Sequence, residues 1–451
     1  MASVGRGAYF VWCPSVAGVA LVLACGSERE SDHASEAASP AYQVRDSAGV
    51  AVIEHPDFDS ADSVSWSVDP HPSAVIGKTD GDDPYLFSEV AGALRQDNGT
   101  IVVADRRSRQ LRFFDSTGTF VKAIGGPGQG PGELGEGVDF HPVLYGGAGD
   151  SLLVRDSFTR LNLFDAVGEF VRRIRIAATD SIADAVGDRA RLSLIFDDGS
   201  FLVHDQTDVC AAIRGPAGPC EITMIFRRIR ENGSVVAVFG KFPVARMYIA
   251  KSRGMERSIT EHEAPPFWGV HGTRLYYGDS RSFEYRVFGG DGRLERIVRV
   301  AMTPTPGKQL RPPSWVTARM QPLKSPGGPS PALVDQFEEE AWRAVPRPSR
   351  LRAYDGLVVD RLGNAWLKEY SVADDSASSG DRWWVFDSLG TLRHSVRLPA
   401  AIGQVLRTKA MDLWPQPIFI DGKVILASSR NEDGVPVLHV YRLVKMDQSR
   451  Q

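Results

Sequence analysis

Two stretches of this chain match nearly residue for residue, and that repetition constrains the fold more than any other feature. Residues 98–125 read NGTIVVADRRSRQLRFFDSTGTFVKAIG, and residues 149–176 read GDSLLVRDSFTRLNLFDAVGEFVRRIRI. In both, a turn leads into a β-branched or leucine-rich run that ends in aspartate, Asp105 or Asp156. A polar turn and a second alternating run follow, ending Phe114-Asp115 or Phe164-Asp165. Gly118 or Gly168 then stands where a tight hairpin needs positive φ, and a third run begins. Short strands joined by tight turns form a meander, and a meander that recurs at a fixed period cannot bury both its faces alone. It must stack on its own copies.

Weaker copies lie at 198–239, 272–300 and 355–398, and a last one at 422–445 stops before its final strand. Segments 42–53 and 64–77 have strand character, and the first carries the same Asp-Ser-x-Gly turn as residues 115–118. The expectation is therefore an all-β fold: a six-bladed β-propeller of four-stranded antiparallel blades over residues 42–445. Residues 42–77 are expected to complete the last blade and close the ring, so that its edges protect one another. Residues 304–350 do not fit a blade. They are rich in proline and glycine, and Leu333, Phe337 and Ala341 at i, i+4 and i+8 predict one short amphipathic helix within this insertion.

These residues resemble the six-bladed β-propellers of the NHL type, and more closely a group of bacterial six-bladed propeller lipoproteins. The features that carry the resemblance are Val103-Ala104-Asp105, then Phe114-Asp115-x-x-Gly118, then the run Gly125-Gly126-Pro127-Gly128-Gln129-Gly130-Pro131-Gly132-Glu133-Leu134.

The N-terminus reads as an export signal. Residues 1–24 hold one charge, Arg6, ahead of an apolar run interrupted by Pro14, which suits a cleaved leader better than a membrane span of about 20 apolar residues. Val22-Leu23-Ala24-Cys25 resembles a bacterial lipobox, although its second position usually holds a small residue. The resemblance makes Cys25 the lipidated first residue of the mature chain, and Gly26 after it points to the outer membrane. Residues 25–41 then form a tether, polar and poor in large apolar side chains. After lipidation of Cys25, the cysteines that remain are Cys210 and Cys220, which bracket a Gly/Pro-rich loop. A disulfide between them is the expectation for an exported protein, with free thiols as the alternative.

The formal net charge is −4, and residues 25–90 alone hold fourteen acids against three bases. Such a balance, with export, argues against nucleic acid as a partner. Motifs that suggest chemistry have simpler readings. Gly149-Asp150-Ser151-Leu152 spells an esterase nucleophile block, but it aligns with the turn at Gly99-Thr100 and no matching Asp-x-x-His occurs. The glycine-rich run 126–137 lacks the Lys-Ser/Thr of a phosphate loop and reads as a blade-to-blade connection. Asp80, Asp82, Asp83 and Glu89 could gather calcium, yet Pro84 breaks the EF-hand spacing. Glu261-His262-Glu263 reads as a polar turn, and the Asn98 and Asn232 sequons as hairpin turns.

The functional expectation is a lipid-anchored, monomeric binding module for a protein, peptide or glycan, with no catalytic residue and no cofactor. The alternative is a metal-dependent hydrolase or lyase, similar to propeller lactonases, with a divalent cation such as calcium in the channel.

Overall fold

The computed structural model describes residues 42–56, 66–135, 143–155, 160–176, 191–208, 215–252, 255–259, 265–302, 350–370, 381–398 and 418–445, together with Gln336, Glu340 and Arg343. An N-terminal arm holds β1 (Gln43–Ser47), β2 (Val50–His55), β3 (Trp66–Val68) and β4 (Ala74–Ile76). Sheet one is β5 (Val90–Arg95), β6 (Ile101–Asp105), β7 (Gln110–Phe114) and β8 (Phe120–Gly125). Sheet two is β9 (Val143–Gly146), β10 (Leu152–Arg155), β11 (Arg160–Phe164) and β12 (Phe170–Arg175). Sheet three is β13 (Arg191–Ile195), β14 (Phe201–Asp208), β15 (Gly218–Ile229), β16 (Val235–Ser252) and β17 (Met255–Ile259). Sheet four contains β18 (Phe267–His271), β19 (Arg274–Gly278), β20 (Glu284–Phe288) and β21 (Leu294–Val300). Sheet five is β22 (Tyr354–Val359), β23 (Ala365–Glu369), β24 (Asp381–Phe386) and β25 (Leu392–Leu398). Sheet six contains β26 (Ile418–Ile420), β27 (Val424–Arg430) and β28 (Pro436–Lys445).

The run Ile101-Val102-Val103-Ala104 shows why these strands read as continuous apolar stretches. Successive side chains point to opposite faces of a strand. Ile101 and Val103 enter a core shared with sheet six, beside Val424, Leu426 and Leu438. Val102 and Ala104 enter another shared with sheet two, beside Leu152, Val154 and Phe164. Four further cores join sheets two and three, three and four, four and five, and five and six. Each core thus lies between consecutive sheets, and the one joining sheet six to sheet one closes the circuit. This is a six-bladed propeller, with the first strands of neighbouring sheets meeting toward its middle, as β26 meets β5 and β5 meets β9.

Ring closure differs in part from expectation. Of the described residues in 42–77, β3 and β4 complete sheet six: Val68 lies opposite Leu443, and Ile76 opposite Leu438, both antiparallel to β28. Ser73 bridges the break between them, its amide and hydroxyl both donating to the Val440 carbonyl. The other half of the arm goes to sheet four, where β2 pairs in parallel with β21, Ala51 opposite Arg296 through His55 opposite Val300, and β1 folds back on β2. Alternation marks both halves as strands but does not name their neighbours. Burial decides: Ile53 fits the core between sheets four and five, where Val298 and Phe386 also lie.

Two sheets also depart from the four-strand expectation. Sheet four gains the arm hairpin, and sheet three lengthens β15 and β16 and adds β17. Of residues 303–349, only Gln336, Glu340 and Arg343 are described; their backbone is helical, and the Gln336 Nε2 amide donates to Glu340 Oε1 at 3.0 Å. The remainder of the helix expected there lies outside the described residues. Residues 1–41 do as well, including the leader, Cys25 and the tether. Among the described residues, no helix is long and apolar enough to cross a membrane.

Candidate functional site

The aspartates of the repeat are consumed by the fold. Oδ1 of Asp115 accepts the amides of Thr117 and Thr119, while the Gly118 amide donates to the Asp115 carbonyl. Asp165 and Asp387 cap their turns in the same way, two and four residues on. The accepted hydrogen bonds, that from the Thr117 hydroxyl first, hold the Asp115 carboxyl below the usual range. Gly168 is required twice over: its φ is +83°, and a Cβ there would stand 2.8 Å from Phe113 of the preceding blade.

Because the strands of a blade alternate in direction, all turns from first to second strand lie at one end of the ring. Side chains from four blades converge there. Arg95 at the end of β5 pairs with Asp421 of sheet six at 2.9 Å, both largely buried. Gln96 donates to the carbonyls of Asp150 and Ala166 in sheet two, and the Asp97 amide donates to Asp150 Oδ2 at 2.8 Å. Arg361, from the first turn of sheet five, reaches over all of these. Its Nη1 donates to the Arg95 carbonyl at 3.0 Å, its Nη2 to Asp150 Oδ1 at 3.4 Å, and its own amide to the Ile420 carbonyl. It also forms an ion pair with Asp97 at 3.3 Å, and its guanidinium carbon lies 6.0 Å from the centre of the Phe419 ring. One cation from sheet five thereby ties together sheets six, one and two.

The rest of this mouth is bridged in a similar manner. Asp197 of sheet three accepts the Gly272 amide of sheet four at 2.8 Å and has His271 beside it. The Tyr276 hydroxyl donates to the Gly363 carbonyl of sheet five, and burial pushes its phenol pKa up. This end of the ring is a fixed polar rim in which a partly exposed guanidinium is held by groups from several blades. Such a rim can recognise an anion.

At the opposite end the acids are structural. Asp105 is almost fully buried and accepts the Ser88 and Glu89 amides and the Ser108 hydroxyl, while Arg112 donates to three carbonyls of the 83–86 turn. Asp105 and Arg112 also pair with each other at 3.4 Å, and Asp205 and Arg227 form a similar pair in sheet three at 2.5 Å; burial there raises the Asp205 pKa despite its partner. Glu89, the last of the acids at 80–89, pairs with Arg106 at 2.6 Å. Among the described residues, no group of three or more His, Cys, Asp or Glu is arranged to hold a metal ion. The described part of the glycine-rich run, residues 126–135, leaves β8 with Glu133 accepting the Gly130 amide inside the loop and Leu134 buried between sheets one and two.

Cys220 is buried in β15, and Cys210 lies outside the described residues, as does Cys25. Asp150 stood out in the sequence only within the Gly149–Leu152 block, and Arg95, Asp97, Arg361 and Asp421 not at all, although a signal for some of them exists. Two positions before the turn glycine, sheets one and three carry Asp97 and Asp197, and sheet five carries Arg361 instead.

The family described as a six-bladed beta-propeller matches residues 82–141. No curated protein matches the chain. Among solved structures, a Bacteroides fragilis protein described as exported is 13% identical, with 87% of this chain and all of that one covered at a TM-score of 0.44. A member of the DUF4221 family from Bacteroides vulgatus is 12% identical, with 85% and 100% covered and a TM-score of 0.41. Virginiamycin B lyase from Staphylococcus aureus is 9% identical, with 80% and 97% covered and a TM-score of 0.35.

Proposed function

We propose that the mature chain is an exported, lipid-anchored propeller that acts as a binding module for a protein, peptide or glycan, with the first-turn mouth as its contact face. The observation that carries this reading is the mouth itself: Arg361 is held by partners in sheets one, two and six, yet its side chain stays 38% exposed. Groups fixed by one another suit recognition, because little conformational freedom is lost on binding. The Val22-Leu23-Ala24-Cys25 motif and the polar segment behind it support the anchor and an outer-membrane location. A Cys210–Cys220 disulfide, closing the β14–β15 connection beside the buried Cys220, belongs to the same proposal.

The test is affinity capture from envelope extracts on the immobilised mature chain, run beside ester and lactone hydrolysis assays. Specific capture without turnover supports a binding module. Robust hydrolysis with no captured partner rejects it. The anchor is tested separately: Cys25→Ser should lose lipid labelling and leave the membrane fraction, because acyl chains contribute about 0.8 kcal/mol per buried CH₂.

A further inference from the structure

The geometry points to the class of ligand that the mouth takes: a peptide presenting a free terminal carboxylate beside an apolar side chain, bound by Arg361 in place of Asp97. This deepens the binding-module reading and rests on it. The two aspartates that Arg361 meets are held very differently. Asp150 is 16% exposed, accepts a hydrogen bond from Nη2, and also accepts the Asp97 amide, so it fixes both the guanidinium and the neighbouring main chain. The Asp97 carboxylate is 85% exposed and meets Nη1 only as an ion pair at 3.3 Å. A pair of that kind, between exposed groups, contributes little and yields readily to a competing anion.

Displacing the Asp97 side chain leaves the rest of the mouth in place, since its backbone stays pinned by Asp150. Arg361 would then offer a planar fork already oriented by Asp150 and the Arg95 carbonyl, a geometry suited to a carboxylate. Phe419 lies beneath the guanidinium as an apolar support. The adjacent Leu362, at the tip of the same turn, is 59% exposed. A guanidinium with an exposed leucine beside it fits a terminal carboxylate flanked by an apolar residue better than a uronic acid, whose carboxylate is flanked by hydroxyls.

The probe is the tetrapeptide alanyl-alanyl-alanyl-leucine, titrated by calorimetry into the full mature chain carrying Cys25→Ser, with its C-terminal amide and an oligogalacturonate as comparators. The free acid should bind, weaken with added salt, and outcompete both comparators by about tenfold or more. Arg361→Ala should lose about tenfold or more in affinity. Asp97→Asn should tighten binding by about two- to fivefold, the fold-change expected on removing a weak surface competitor. A merely structural Asp97 would not produce that gain, and should Arg361→Ala fail to melt cooperatively, the Asp97→Asn and amide titrations decide alone. Equal binding of acid and amide, an Asp97→Asn affinity no tighter than that of the parent chain, or a preference for the oligogalacturonate overturns the proposal. A partner captured from envelope extracts that binds Arg361→Ala and Asp97→Asn unchanged would overturn it while leaving the binding module standing. Failure of every capture and titration would remove the module itself.

Discussion

Sheets four and six both draw on the N-terminal arm, but the two borrowings do different physical work. Among the described residues, sheet six has three strands of its own, so β3 and β4 supply a missing position and bring Trp66, Val68, Ala74 and Ile76 into the cores on both of its faces. Sheet four is already complete when β2 adds in parallel outside β21. There β2 buries Val52, Ile53 and His55, whereas β1 beyond it is exposed at every position. The energetic weight of an added strand follows what its side chains bury and whether the ring lacks it, and the count of main-chain bonds is secondary. A short segment of three residues can thus matter more than a hairpin.

The comparison can be broken most violently by excising residues 66–76. This should open the seam between sheets six and one, exposing strand edges and two cores, and should abolish the cooperative thermal transition or drive aggregation. A deletion that stays monomeric with an unaltered melting curve would mean the ring closes without β3 and β4.

At single-residue resolution, Trp66→Ala should cost about 3–5 kcal/mol and Ile53→Ala about 2–5 kcal/mol by denaturant unfolding. Trp66 stacks on His394 with 3.9 Å between ring centres and lies in the core between sheets five and six, while Ile53 fills the core between four and five. A cost below about 1 kcal/mol at Ile53 would demote β2 to the accessory status of β1.

Acidification should affect both borrowings. Burial lowers the pKa of His55, opposed by its hydrogen bond with the Gly390 carbonyl, and burial alone lowers that of His439 in β28. In each case the unfolded state binds the proton more readily. The neutral folded form is favoured above the ordinary value of 6.5, and that stability is lost as pH falls through the depressed folded values. Melting temperature should therefore drop between about pH 7 and pH 5, with a shallower drop in His55→Gln. An unchanged slope in that variant would show that the arm hairpin takes no part in the acid response. The smallest effect is expected at β1, where Val44 is 61% exposed: Val44→Thr should change stability by no more than about 0.5 kcal/mol.

Much of the fold was legible because its signals are local. Asp115, Gly118 and their counterparts mark hairpins through contacts within five residues, and the run Ile101–Ala104 announces a strand buried on both faces. The partner of the arm hairpin was not legible, since parallel pairing of β2 with β21 joins residues far apart in the chain through a core that neither stretch displays alone. The same holds for Asp105 and Arg112, whose partners lie in the turn at 83–89.

The candidate site shows that division most clearly. The sequence by itself determined the repeated meander, its turn chemistry and the ring that such repeats must form to cover their faces. Only the tertiary structure decided that Arg361 of sheet five meets Arg95 and Asp97 of sheet one and Asp150 of sheet two. A ring brings one residue from each of several blades to a common mouth, so neighbours there are separated by whole repeats in the chain. Local pattern fixes each turn, but closure of the ring fixes which turns face one another.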